Sequence, residues 1–162
     1  MLDPNVSDGG LARMIQTFNE TGLATGSDEA DAFLRENVSA VLMGILFDQR
    51  IRAEVAFTGP LKLKQRLGGF DMNRIADMDP EVFKGIFSQS PAVHRFANVM
   101  AERAQQFARK LVADYESDAS NIWASVDDIE EVYERVLEFP GFRPGKLKKL
   151  VPAMTLFGHQ IL

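Results

Sequence analysis

The chain has 162 residues, 46% hydrophobic and 25% charged, with a net charge of −5 and no cysteine. That length supports one domain with a sizeable core. The missing cysteine excludes disulfides, cysteine–zinc sites and thiolate-bound iron–sulfur clusters, and the acidic balance argues against a generic nucleic-acid binder, whose usual footprint is basic.

Residues 1–8 read as a loose terminus. Leu11, Met14, Ile15 and Phe18 recur at helical spacing, which predicts a first helix over about 10–20. Gly22 and Gly26 then break the chain. Ser27-Asp28-Glu29 is a helix-start signal, and Ala30, Phe33 and Leu34 give its apolar face. Ser39 is expected to open the next helix. Val41, Leu42, Ile45 and Leu46 lie on one face, and Ala40, Met43 and Gly44 keep the other small or apolar. A helix apolar all round is normally central. It ends at Asp48-Gln49-Arg50. A second apolar segment, Ile51 to Phe57, is expected to stop at Gly59-Pro60. Leu61, Leu63 and Leu67 then form a short helix ended by Gly68-Gly69.

Asp71 caps a brief helix holding Ile75 and Met78. Asp79-Pro80-Glu81 places a cap, a first-turn proline and an acid in order, and Val82, Phe83, Ile86 and Phe87 are the expected core face. Pro91 is expected to begin the longest amphipathic helix, which carries Phe96, Val99, Met100, Ala104, Phe107, Ala108, Leu111 and Val112 to about Tyr115. Asp118 to Trp123 is a connector or a turn of helix. Asp127 caps a helix bearing Ile129, Val132, Tyr133, Val136 and Leu137. A last helix starts at about Pro144, and Pro152 kinks it or marks its true first turn. No run alternates like a strand. The expected fold is all-α: one compact domain of many short helices over residues 1–162.

The chemistry-bearing stretch is Phe139-Pro140-Gly141-Phe142-Arg143-Pro144-Gly145-Lys146, followed by Leu147-Lys148-Lys149. Gly and Pro punctuate it closely enough to force a compact reversal. Glycine lets a ligand approach the backbone, and the local positive charge suits a phosphate even on an acidic protein. A hydrophobic-Pro-Gly-hydrophobic turn between two helices is the pattern of a helix-hairpin-helix, whose N–H groups and lysines hold a DNA phosphate. A plain Gly/Pro helix connector with a solvated basic end fits the same spacing. Duplex DNA, damaged or non-specific, is the expected partner. Its contacts would be Gly141, Phe142, Arg143, Gly145, Lys146, Lys148 and Lys149. His94 and His159 stand far apart, so no metal site is expected, and with no cysteine for an iron–sulfur cluster no cofactor is expected. The start, Met1-Leu2-Asp3-Pro4, lacks the pattern of a secretory signal. The longest apolar run, about Val38 to Phe47, falls short of the roughly 20 residues a membrane helix needs. No membrane partner is expected, and the reading is cytoplasmic.

Taken in order, Leu46-Phe47-Asp48-Gln49, the Gly59-Pro60 break, the Phe87 to His94-Arg95 segment and Phe139-Pro140-Gly141-Phe142 resemble the HhH-GPD superfamily of base-excision DNA glycosylases. The resemblance runs from about Leu23 to Leu162 and leaves 1–22 as a variable N-terminal extension. It implies an all-helical fold with a cleft that receives a flipped-out base. It also implies a hairpin lysine that acts, in bifunctional members, as an amine nucleophile forming a Schiff base. Lys146 best matches that lysine, although the pattern wants glycine at Arg143. Lys146 serves either that chemistry or phosphate contact.

The family's activating aspartate past the hairpin has no counterpart, since no acidic residue follows Glu138. Asp48 is either a substitute for it or a helix-terminal carboxylate paired with Arg50 or Arg52. Gln49 matches a glutamine that probes the gap left by the extruded base, as an amide that donates and accepts; the alternative is an ordinary surface or capping residue. His94-Arg95 either touch a phosphate or are structural. Arg103, Arg109 and Lys110 read as a solvated helix face, and Trp123 as a core anchor. Three functions fit: a damaged-base glycosylase, a non-catalytic DNA-binding homologue, and a helical protein-interaction domain.

Overall fold

Asn37 accepts a hydrogen bond from the Ala40 N–H at 3.0 Å and so opens helix α3 (Val38–Phe47). Every residue from Ser39 to Phe47 is buried. A helix with no polar stripe gains its stability from being surrounded, and α3 is the element around which the others pack. A computed structural model describes all 162 residues. It contains ten α-helices and two 3-10 turns and no strand. Helices α2 (Asp28–Glu36), α4 (Ala53–Leu67), α7 (Ala97–Tyr115) and α10 (Leu150–Leu156) all touch α3. The remaining helices are α1 (Gly9–Thr21), α5 (Met72–Asp77), α6 (Pro80–Ser88), α8 (Ile129–Leu137) and α9 (Pro144–Leu147). One cluster of 45 buried hydrophobic residues draws on both ends of the chain, from Leu11 to Ile161, so the chain folds around a single core. No helix is long and apolar enough to cross a membrane.

Local signals set most boundaries. Ser27 accepts from Ala30 N–H, Asp71 from Asn73 N–H, and Asp79 from both Glu81 and Val82 N–H. Each satisfies a donor that the first helical turn leaves free. The cap of α8 is Asp128 rather than Asp127. Pro152 is the third residue of α10, where its missing N–H has no intrahelical partner to lose. The residues Lys148 and Lys149 separate α9 from α10, so the expected last helix is two short ones.

Several expectations are corrected by packing. Helix α4 runs straight through Gly59-Pro60 to Leu67. An internal proline costs roughly 3 kcal/mol, but Ala56, Phe57, Leu61, Leu63 and Leu67 are all buried along this one helix, and that burial outweighs it. Gly59 is there for approach: a Cβ on it would lie 2.7 Å from the ring of Phe47. Helix α7 begins at Ala97, not Pro91, and residues 91–96 form an irregular bridge. Val82, Phe96 and Val99, expected on core faces, are exposed. The amino terminus is not loose. The Leu2 N–H donates to Asn19 Oδ1 at 2.9 Å and the Leu2 carbonyl accepts from Asn19 Nδ2 at 2.6 Å, while α1 gives Leu11, Met14 and Ile15 to the shared core.

Candidate nucleic-acid interface

The chain reverses between α8 and α9 in a tight turn. The Phe142 N–H donates to the Phe139 carbonyl at 3.1 Å, Pro140 takes the second position, and Gly141 takes the third with φ +91. Proline followed by a glycine at positive φ is the signature of a type II turn. The two flanking phenylalanines are buried, which fixes the turn to α7. Their rings lie 5.4 and 6.5 Å from Phe107, and Tyr115 stacks on Phe139 at 5.9 Å. Phe142 was expected at the DNA contact; its side chain is instead a core anchor. Gly141 presses on the end of α3, since a Cβ there would sit 2.8 Å from Leu46 Cδ1 and 3.1 Å from Arg103 Cδ.

That close approach leaves a small recess of about 70 Å³ between α3, α7 and the turn. Leu46, Val99 and Met100 form its apolar wall. Gln49, Arg103, Arg143 and Lys146 supply its polar groups. Gln49 and Arg143 are exposed, while Lys146 and Arg103 are half-buried. Fold and turn thus bring Gln49, Arg143 and Lys146 together, as the spacing alone could not require. Arg103, Val99 and Met100 were missed as members of this group. Arg103, on an expected solvated face, instead packs its stem against Gly141. The one sequence cue was that Val99 and Arg103, four apart, share a helix face.

The Lys146 ammonium donates to the Leu46 carbonyl at 2.5 Å. Burial pulls its pKa down to about 8, and the charges of Lys149, Arg103 and Arg143 pull the same way against a weaker opposite pull from Asp48. Lys149 reaches the neighbouring position and donates to Asp48 Oδ2 at 2.8 Å and to the Asp48 carbonyl at 3.3 Å. Asp48 therefore pairs with Lys149, not with Arg50 or Arg52. Arg52 turns to Glu54 at 3.5 Å instead. No carboxylate lines the recess.

His94 completes the pattern. It is buried, its Nε2 donates to the Phe47 carbonyl at 2.8 Å, and its Nδ1 accepts from the Phe96 N–H at 2.9 Å. That partner set requires the neutral ring protonated on Nε2. Burial lowers its pKa, with the charge of Lys146 adding to the effect against the pull of the Phe47 carbonyl. Both nitrogens are used, so His94 is structural and free of any phosphate. Three successive carbonyls at the end of α3, those of Leu46, Phe47 and Asp48, thus each receive a side-chain donor. Helix C-termini leave such carbonyls unpaired and favour cations beside them.

Among the remaining expected contacts, Gly145 has open space around its Cβ position and Lys148 is exposed. Arg143 and Lys148 have no hydrogen-bond or ion-pair partner, so they are the uncommitted cations of the turn. Arg109 donates to the Ala76 carbonyl at 3.2 Å, Lys110 pairs with Asp114 at 2.7 Å, and Trp123 is a core residue. No group of three histidine or carboxylate side chains is placed to hold a metal ion. No family model matches the chain, and neither the curated proteins nor the solved structures compared with it give a match.

Proposed function

We propose that this chain is a duplex DNA-binding protein of the base-excision-repair glycosylase type, and that α8, the type II turn and α9 are its helix-hairpin-helix. The observation that carries the reading is the meeting of Gln49, Arg143 and the depressed amine of Lys146 at one recess beside the turn. Arg143, Gly145 and Lys148 are free to meet phosphates along the strand. Gln49, exposed at the recess mouth, is an amide suited to an orphaned base.

The amine has the chemistry for an attack on sugar C1′. An amine of pKa near 8 is neutral about a tenth of the time at pH 7, roughly two to three orders of magnitude more often than an ordinary lysine. A neutral lone pair is what nucleophilic attack requires. Attack forms an N–C1′ bond, the base leaves with the electrons of its own C1′ bond and takes a proton from solvent, and cleavage of C1′–O4′ passes one amine proton to O4′ and leaves a protonated Schiff base.

A second, non-catalytic reading is favoured by one observation: the recess holds no carboxylate to offset positive charge developing on the sugar. Borohydride trapping on abasic and damaged duplexes separates the two. The catalytic reading expects a covalent adduct that disappears in Lys146→Ala. Binding that falls with salt, with no adduct and no base release on any lesion, leaves the non-catalytic reading. Failure to bind any duplex at low salt removes both.

A further inference from the structure

The segment from Asp48 to Arg52 divides two concavities. Gln49 lines the recess at Lys146, while its neighbours Asp48 and Arg50 line a second, larger cleft of about 550 Å³ on the other side. That cleft also takes Arg13, Arg52 and Lys149, so four cations face two carboxylates, Asp8 and Asp48. In a chain of net charge −5 this is a local reversal of sign.

The cations are held for use. Arg13 grips Glu54 through two hydrogen bonds of 2.8 and 3.0 Å, and Arg52 leans on the same carboxylate. The Arg13 guanidinium holds the Glu54 carboxyl below the usual carboxylate range, so this anchor stays ionised. Both guanidinium groups keep further N–H donors unspent. Arg50 has no partner at all, is exposed, and sits at φ +58, a backbone region that non-glycine residues avoid unless the surroundings impose it. Helices α1 and α4 both start at the cleft; the Asp8 carboxylate accepts no hydrogen bond from the first turn of α1, and Arg52 before α4 has no acceptor to offer. The two starts abut, since a Cβ on Gly10 would lie 2.7 Å from the Ala53 Cβ.

We propose that this cleft binds a backbone phosphodiester of the duplex, as a second anchor across the Gln49 divider from the hairpin. The inference rests on the DNA-binding reading above. Guanidinium forks match phosphate oxygens in geometry as well as charge. Asp8 and Asp48 in the cleft and Glu54 beside Arg13 and Arg52 temper the field, which suits the single charge of a diester better than a free polyphosphate. Lys149 and Asp48, whose ion pair closes the divider, make the cleft continuous with the turn.

The test measures duplex affinity of the full chain by anisotropy across a salt series. Arg50→Asn with Arg52→Gln removes two exposed charges, and asparagine tolerates the φ at position 50. Arg143→Gln with Lys148→Gln does the same at the hairpin. Thermal melts confirm folding of each. The inference expects the cleft pair to bind about tenfold more weakly and its salt slope to fall by roughly one to two. If the hairpin pair weakens binding and the cleft pair binds like the parent protein, this inference is overturned and the hairpin reading stands. If only the cleft pair weakens it, the cleft is the contact and the hairpin reading fails. No duplex binding by the parent protein overturns both. A parallel arm titrates inorganic phosphate and follows the arginine side-chain NMR signals. Shifts at Arg50 and Arg52 together with an unchanged duplex affinity would mean a site for a free anion, which also overturns the inference.

Discussion

The ammonium of Lys146 donates to the main-chain carbonyl of Leu46 across 100 positions of sequence. The contact ties the turn to the end of α3 and holds the amine where burial depresses its pKa to about 8. The unfolded chain binds that proton more tightly, with a value near 10.4. Stability therefore rises with pH between about 8 and the ordinary lysine range. Below about 8 the cost of burying the charge is present in full. Lys146→Met removes the titrating group. Its melting temperature relative to the parent protein should be most favourable near pH 7 and decline steadily from pH 8 to 10. A difference that stays flat across that window would mean the amine is unperturbed.

Asp48 supplies the opposing attraction on that amine, and Lys149 repels it. Asp48→Asn deletes the attraction and leaves the repulsion. The Lys146 pKa should then fall below about 8, readable by NMR titration of the methylated lysine side chains. The half-buried Asp48–Lys149 pair is also lost, for about 1 kcal/mol of stability. An unchanged or raised pKa would count against this electrostatic account.

What could be read in the sequence was what neighbours in sequence decide. The apolar run of α3 announced a central helix, and Ser27, Asp71 and Asp79 announced the starts that they cap. Gly59-Pro60 misled because local rules price a proline without knowing what the helix buries. Of the site, the tight turn at Pro140-Gly141 was legible locally, whereas the meeting of Gln49 with Arg143 and Lys146 depends on the packing of α3 against the turn. The partners of Lys146 and Lys149 lie 100 and 101 residues away, and no local pattern specifies them. Arg103 was lost for the same reason: its helix face looks solvated until Gly141 arrives against it.

Gly141 in the turn and Gly145 in the helix that follows, four residues apart, should respond oppositely to alanine. At Gly141 the φ of +91 and the 2.8 Å approach to Leu46 Cδ1 both resist a Cβ. Gly141→Ala should cost about 2 kcal/mol or more, combining a disfavoured backbone with overpacking. Gly145 has open space at its Cβ position and lies in the first turn of α9. Gly145→Ala should be neutral or stabilising by a few tenths of a kcal/mol. Denaturant midpoints measure both, and equal losses would refute the distinction.

Helices α3 and α4 are joined by a reciprocal exchange. A Cβ on Gly44 of α3 would lie 2.5 Å from Phe57 Cδ1 of α4, and one on Gly59 of α4 would lie 2.7 Å from Phe47 Cδ2 of α3. Each glycine is the seat of the other helix's ring. Alanine normally gains about 1 kcal/mol over glycine inside a helix. Gly85→Ala, on the exposed side of α6 with nothing near its Cβ position, should show that gain. Gly44→Ala and Gly59→Ala should each instead lose about 1–2 kcal/mol, because overpacking exceeds the propensity term. Phe57→Leu frees the seat of Gly44. The double variant Gly44→Ala with Phe57→Leu should therefore be more stable than the sum of the single losses by about 1 kcal/mol. Urea denaturation of the four members of the cycle measures that coupling, and strict additivity would show that the glycine is not there to admit the ring.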